Sequence, residues 1–171
     1  MKRHYLMKTE RIGFSIWQES DLLLAKILWS NPQVTKYIYA HGIMNENDIE
    51  NRLHTEIENE RNDHVQYWPI FELSTEQFMG CCGLRKHDSY YEIGFHLLPQ
   101  FWQQGFAFEA ANAVINYAFS TLKTKALFAG HHPDNNASQR LLKKLHFEYI
   151  KDEYYQPTGL YHPSYILYKE L

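Results

Sequence analysis

The chain has 171 residues, enough for one domain with a core that needs neither disulfides nor metal. Its net charge of −3 gives no general attraction to nucleic acid or to an anionic membrane surface. No apolar run approaches the roughly 20 residues that cross a bilayer. Two adjacent cysteines, Cys81 and Cys82, form no disulfide framework. We therefore expect a cytoplasmic globular protein with free thiols.

The first third of the chain predicts one strand and two helices. Alternation over residues 11–17 predicts the strand, and Ser20 is a candidate N-cap for a helix over residues 21–29 that Pro32 prevents from continuing. Asn45 is a candidate N-cap for the second helix, in which apolar residues recur every four positions. This narrow stripe, which predicts a surface helix, consists of Ile49, Leu53 and Ile57.

The rest of the chain predicts an antiparallel meander followed by one β-α-β crossover. The meander strands are residues 67–73, 78–84 and 90–98, separated by polar turns. A strongly amphipathic helix follows Gly105. The later elements are a strand at 125–132, a helix capped by Asn135 or Asn136, and strands at 147–155 and 163–171. No repeat or linker divides the sequence, so we expect one α+β domain over residues 1–171.

Two segments resemble a known family. They are YEIGFHLLPQFWQQGFAFEAANAVINYAF at residues 91–119 and HPDNNASQRLLKKLHF at residues 132–147, and they are similar to the GNAT superfamily of N-acetyltransferases. Trp102, three residues before Gly105, is typical of the RimJ/RimL-like branch, which acetylates the N-termini of ribosomal proteins. The resemblance implies a mixed, mostly antiparallel sheet that is splayed in the middle and flanked by about four helices. His146 replaces the usual glycine of this branch, and we expect it to adopt the left-handed conformation.

The resemblance also implies acetyl-CoA as co-substrate and assigns residues to it. The pantetheine arm would lie along the exposed backbone of Phe95, His96 and Leu97. The pyrophosphate would bind the turn before the long helix, where backbone N–H groups replace water around an anion. That turn is formed by Gln103, Gln104, Gly105, Phe106 and Ala107. Asn135 and Ser138 match the family pattern P-x-N-x-x-S near the thioester.

Acetyl transfer to an amine needs a base for the ammonium and an acid for the leaving thiolate. Glu92 is the candidate base because it is the only carboxylate in its strand and shares a face with Gly94 and His96. The resemblance makes Ser138 the candidate acid. An equal alternative is that Ser138 only satisfies backbone N–H groups at a helix start. Lower-ranked acids are Tyr149, Tyr154 and Tyr155.

Three histidines and one glutamate have other interpretations. His131 and His132 are adjacent on a strand and point to opposite faces, so we expect no metal site; one of them, or His162, is a candidate for the substrate cleft. Glu109 lies in the first turn of the long helix, where a carboxylate favours the helix dipole, and is interpreted as structural.

The sequence leaves the amine acceptor and the oligomeric state open. A peptide N-terminus and a small amine both fit, and the acidic net charge favours a cationic acceptor. The protein is expected to be a monomer or a homodimer. The alternative function is a module that binds CoA or acyl-CoA without turning it over.

Overall fold

A computed structural model of the chain describes residues 3–169. The strands are β1 Met7–Lys8, β2 Ile12–Phe14, β3 Tyr67–Glu72, β4 Phe78–Lys86, β5 Tyr91–Leu97, β6 Ala126–Gly130, β7 Glu148–Tyr155 and β8 Leu160–Tyr168. They form one sheet of eight strands in the order β1-β2-β3-β4-β5-β6-β8-β7. The pair β5 and β6 is parallel, and the other neighbouring pairs are antiparallel. The predicted meander and crossover are therefore confirmed.

Helices cover both faces of this sheet. They are α1 Leu22–Trp29, α2 Pro32–Thr35, α3 Glu46–Asp63, α4 Phe106–Ser120 and α5 Asn136–Lys144. Adjacent residues on β3 show the two layers, since neighbours on a strand point to opposite faces. The Trp68 ring packs against Tyr117 of α4 at 5.2 Å between centroids. On the other face, the Tyr67 ring lies 5.4 Å from the Arg52 guanidinium of α3.

The N-terminal prediction was wrong in two details. Ser20 is not the N-cap of α1, because it lies inside the 3-10 turn Glu19–Asp21, whose capping box uses Gln18 and Asp21. The predicted strand over 11–17 shortens to β2, with β1 before it as an unpredicted partner. The predicted end of α1 before Pro32 is confirmed. Pro32 itself occupies the first position of α2, where its missing N–H costs nothing.

Several local predictions are confirmed. The side chains of Asn45 and Asn135 cap α3 and α5, each accepting a hydrogen bond from a backbone N–H three residues later. His146 is left-handed with φ 65°. The last strand begins at Leu160 rather than residue 163, because it pairs with β7 along the whole hairpin, and the last two residues of the predicted strand lie outside the described residues. Among residues 3–169, no helix combines the length and apolar character that crossing a membrane requires.

Candidate active site

Strands β5 and β6 separate near the centre of the sheet. They pair at Tyr91 with Leu127 and at Glu92 with Phe128. Beyond that point β6 continues with β8, while β5 continues with β4 as far as Leu97. Within the described chain, residues 93–97 therefore have a strand on one edge only. This gap is the splay that the resemblance implied.

Strand alternation decides which backbone groups face the gap. The N–H of Leu98 donates to the Met79 carbonyl on β4 at 2.9 Å. Since hydrogen-bonding directions alternate along a strand, the backbone groups of His96 also point to β4, and those of Phe95 and Leu97 point into the gap. The Leu97 carbonyl accepts the Trp102 indole N–H at 2.8 Å. Phe95 is thus the residue of this group with both an N–H and a carbonyl open to the gap.

A turn with two left-handed residues follows β5. Gln103 has φ 57° and Gly105 has φ 81°, and α4 begins at the next residue. The first N–H groups of an α-helix lack intrahelical partners and carry partial positive charge. The Gln104 side chain folds back to donate to the Gln100 carbonyl at 2.7 Å, which keeps it off the helix start. The turn that was predicted to bind phosphate therefore lies at the start of α4, where backbone N–H groups carry partial positive charge.

An ion pair between Arg11 and Glu109 connects the β1–β2 hairpin to the start of α4. The Glu109 carboxylate accepts from the Thr9 hydroxyl at 2.5 Å, the Arg11 backbone N–H at 2.9 Å and Arg11 Nε at 2.7 Å. Arg11 also donates through Nη1 to the Gln104 carbonyl at 3.1 Å, inside the turn. These bonds support the structural interpretation of Glu109. Sequence reasoning missed Arg11, which lies 98 positions away from its partner.

Replacing Glu109 by Gln should lower the free energy of unfolding by about 1–3 kcal/mol, because one acceptor of charge-assisted hydrogen bonds becomes a donor facing Arg11. Although burial alone would raise the pKa of Glu109, hydrogen bonds from Thr9 and Arg11 hold it below its ordinary value. A depressed folded pKa contributes stability above the unfolded pKa of about 4.3 that is lost as pH falls through the folded value. The difference between wild type and variant should therefore shrink in acid.

Urea unfolding at neutral and acidic pH measures this difference. The exposed neighbour Glu10 provides the control, since Glu10→Gln should leave the unfolding free energy unchanged. Equal stabilities of wild type and Glu109→Gln at neutral pH would contradict the expectation.

Glu92 stands where the gap opens. It is the last residue of β5 that pairs with β6, and it lies opposite Arg85 on β4. Its Oε2 lies 3.2 Å from His87 Nε2, and its side chain is 36% exposed. Burial raises the pKa of the Tyr67 phenol, and the nearby Glu92 charge adds to the rise. Glu92 thus lies on the face that Tyr67 covers.

Ser138 occupies the first turn of α5. Its backbone N–H donates to the Asn135 side-chain carbonyl at 3.1 Å. The Asn135 side chain therefore provides the N-cap of this helix. The three tyrosines ranked below Ser138 all lie on the exposed strand β7.

A cluster of buried polar side chains surrounds Tyr67, whose ring packs against β5. Glu56 is fully buried, accepts from Arg52 Nε at 2.8 Å and from the Tyr67 backbone N–H at 2.8 Å, and has Arg85 Nη2 at 3.5 Å. The Tyr67 ring lies against Gly94, where any side chain would overlap it. Burial, with the charges of Arg52 and Arg85, lowers the pKa of His96 well below its ordinary value. The cluster was not predicted, and it fixes the aromatic surface beside the gap.

A small cavity lies beside the end of β6. It has a volume of about 220 Å³ and lies between the segment after α2 and the β7–β8 hairpin. His132 and His162, the candidates for the substrate cleft, line it. Buried His131 instead has Nε2 3.2 Å from the Tyr165 hydroxyl. Burial, then the neighbouring His132 and His131, lower the pKa of His162, which favours the neutral ring.

Metal-binding groups and the two cysteines concern other kinds of chemistry. Across residues 3–169, groups of three or more His, Cys, Asp or Glu side chains that could hold a metal ion do not occur. Both cysteines are free and fully buried, and burial raises the pKa of each thiol, which opposes a nucleophilic role.

Comparison with protein families decides the assignment. Residues 11–148 match the family of acetyltransferase (GNAT) domains. The chain belongs to this GNAT acetyltransferase family. The enzyme is 29% identical over 150 residues to the uncharacterized N-acetyltransferase YoaA of Bacillus subtilis, an alignment covering 84% of this chain and 82% of YoaA.

Solved GNAT structures share the fold. A GNAT-family acetyltransferase from Bacillus anthracis superposes with a TM-score of 0.79 at 23% identity, covering 95% of this chain and 97% of that one. RimL, the ribosomal L7/L12 alpha-N-protein acetyltransferase solved in complex with coenzyme A, superposes with a TM-score of 0.81 at 14% identity, covering 96% and 98% of the two chains. The GNAT fold predicted from the sequence is confirmed.

Proposed function

We propose that this GNAT enzyme transfers the acetyl group of acetyl-CoA to a primary amine. The single observation that carries the proposal is the gap between β5 and β6, because an open backbone edge there leads directly into an anion-binding turn. An elongated molecule with amides at one end and a pyrophosphate at the other fits that order of groups. The free cysteines support a cytoplasmic location, where thiols stay reduced.

The residues that line the gap fit acetyl-CoA, the proposed acetyl donor. The N–H and carbonyl of Phe95 are positioned to pair with the pantetheine amides, and the backbone of Gln103, Gln104, Gly105, Phe106 and Ala107 with the pyrophosphate. Leu97 contributes its N–H, since Trp102 occupies its carbonyl. His96 directs its own backbone away from the gap, so it supports the site through its buried ring.

Glu92 and Ser138 then serve the transfer. Acetyl-CoA supplies a thioester carbonyl, which the amine nitrogen attacks while Glu92 accepts the ammonium proton directly or through water. A carbon–nitrogen bond forms and the carbon–sulfur bond breaks. The Ser138 hydroxyl donates a proton to the thiolate and regains one from the acetylated nitrogen, which still carries its second proton after the attack. Asn135 holds the helix start that positions Ser138. The products are an acetamide and free CoA.

A panel of amines and N-terminal peptides with thiol detection tests the proposal. Acetyl-CoA with the correct acceptor should release CoA in proportion to acetylated amine, with the rate saturating in both substrates. A CoA-binding sensor would bind CoA and release no thiol above the blank with any member of the panel, and that result would contradict the enzyme proposal.

A further inference from the structure

The 220 Å³ cavity beside β6 is small for an acceptor site. Pockets for small molecules span about 300–1,000 Å³. This size favours a compact amine over an extended peptide. The chemistry of its lining then indicates what that amine carries.

The charge of the lining is positive. Lys36 lines the cavity, and the lining contains neither Asp nor Glu. Two carboxylates near the lining have other partners: Asp48 accepts from the Tyr39 hydroxyl at 2.8 Å, and Glu153 binds Lys151 and Ser164. An amine whose ammonium group needs a carboxylate partner, such as a polyamine, finds none in this lining.

His132 adds a hydrogen-bond donor. Its Nδ1 accepts the Asp134 backbone N–H at 3.1 Å, so the proton of the neutral ring is on Nε2. The Asp134 carboxylate lies 3.9 Å from Nδ1, on that same edge of the ring, and is largely exposed. The Nε2–H edge is therefore the one available to a ligand. A donor N–H and a lysine ammonium in one small cavity suit an anionic group.

Four rings form a continuous wall of the same cavity. Tyr37 and His132 lie 5.2 Å apart between centroids, His132 and His162 5.4 Å, and His162 and Tyr155 4.9 Å. Thr158 Oγ1 fixes the His162 ring at 2.8 Å from Nε2. Aromatic surfaces of this kind pack against flat apolar groups with offset or edge-on geometry.

We propose that the acceptor is a small amine that also carries a carboxylate or similar anion, bound by Lys36 and His132, and a flat apolar body packed on the four-ring wall. This proposal rests on the proposed function for the identity of the reacting amine. It replaces the cationic acceptor that the net charge favoured by an anionic one, because the described lining of this cavity contains no acidic residue.

Matched amines test the acceptor class by thiol release. L-phenylalanine carries all three groups, phenethylamine lacks the anion, L-phenylalaninamide replaces it by an amide as in a peptide N-terminus, and L-alanine lacks the ring. Compared per unprotonated amine, kcat/KM for phenylalanine should exceed that of each of the others by about tenfold or more, as expected for one charged contact or one buried ring. Lys36→Glu should remove the preference over phenethylamine, and Lys125→Met, an exposed lysine outside the cavity, should preserve it.

A binding measurement keeps the two proposals separate. With CoA present, 3-phenylpropionate should shift the imidazole NMR signals of His132 and His162, and the neutral 3-phenylpropionamide should not. If no amine supports turnover but the acid binds selectively, the proposed function fails and the anion site stands. Equal binding of acid and amide, or equal rates with phenylalanine and phenethylamine, would overturn the acceptor proposal while leaving acetyl transfer intact.

Discussion

Gly105→Asp is expected to weaken CoA binding on the order of 100-fold. Two unit charges about 4 Å apart repel by between roughly 1 kcal/mol in water and 4 kcal/mol at a protein surface, and 1.4 kcal/mol is tenfold in affinity. Gly105 precedes α4 and has φ 81°, and a Cβ added there would lie 3.4 Å from Arg11 Nη2, so the new carboxylate would stand beside this guanidinium at the proposed pyrophosphate turn. Calorimetric titration of CoA measures the change.

Two control variants separate charge from backbone strain at Gly105. Gly105→Asn has the same size and the same left-handed backbone without the charge, so its CoA affinity should fall much less. Gly42→Asp introduces the same residue at φ 91°, where no atom lies within 4 Å of the added Cβ, and should bind CoA as wild type does. Equal losses for Gly105→Asp and Gly105→Asn would place the phosphates elsewhere.

Glu92→Gln is expected to lower kcat by about 100-fold or more, the usual contribution of a positioned base. The loss should be largest at pH values where the acceptor amine is mostly protonated, because there the reaction depends most on a group that removes the proton. As the pH rises and free amine accumulates, the activities of variant and wild type should converge. Steady-state rates across pH, measured by thiol release, show this dependence.

CoA affinity distinguishes loss of the base from loss of the site. Glu92 lies at the edge of the gap, and its substitution removes no backbone group from it, so Glu92→Gln should bind CoA nearly as wild type does. Glu148→Gln replaces an exposed glutamate on β7 and should keep full activity. A Glu92→Gln enzyme with wild-type kcat at all pH values would exclude Glu92 as the base.

Local sequence signals predicted most of the fold because they reflect interactions between residues that are close together in the sequence. Caps at Asn45 and Asn135, the left-handed His146 and the alternation of the meander depend on neighbours within a few residues. The N-terminus was less predictable because tertiary contacts decide it. Trp17 was expected in a strand, but it lies outside β2, and its backbone N–H donates to the side-chain carbonyl of Gln66.

The parts of the site that sequence did not predict depend on distant partners. The Arg11 and Glu109 ion pair joins a short hairpin to α4, and no periodicity relates the two residues. Glu56 did leave a signal: it lies seven residues after Ile49 on the buried side of α3, an unusual place for a carboxylate. The charge of the cavity beside β6 could not be predicted, because Lys36 and the four rings come together only when the β7–β8 hairpin meets the segment after α2.

All of the proposed chemistry depends on acetyl-CoA filling the gap between β5 and β6. Amide hydrogen exchange of Phe95, followed by NMR with and without CoA, tests this most directly. The Phe95 N–H faces the gap and should become strongly protected by CoA, while the His96 N–H, which already points to β4, should change little. Protection that appears at other sites and leaves Phe95 unchanged would contradict the assignment of the donor site.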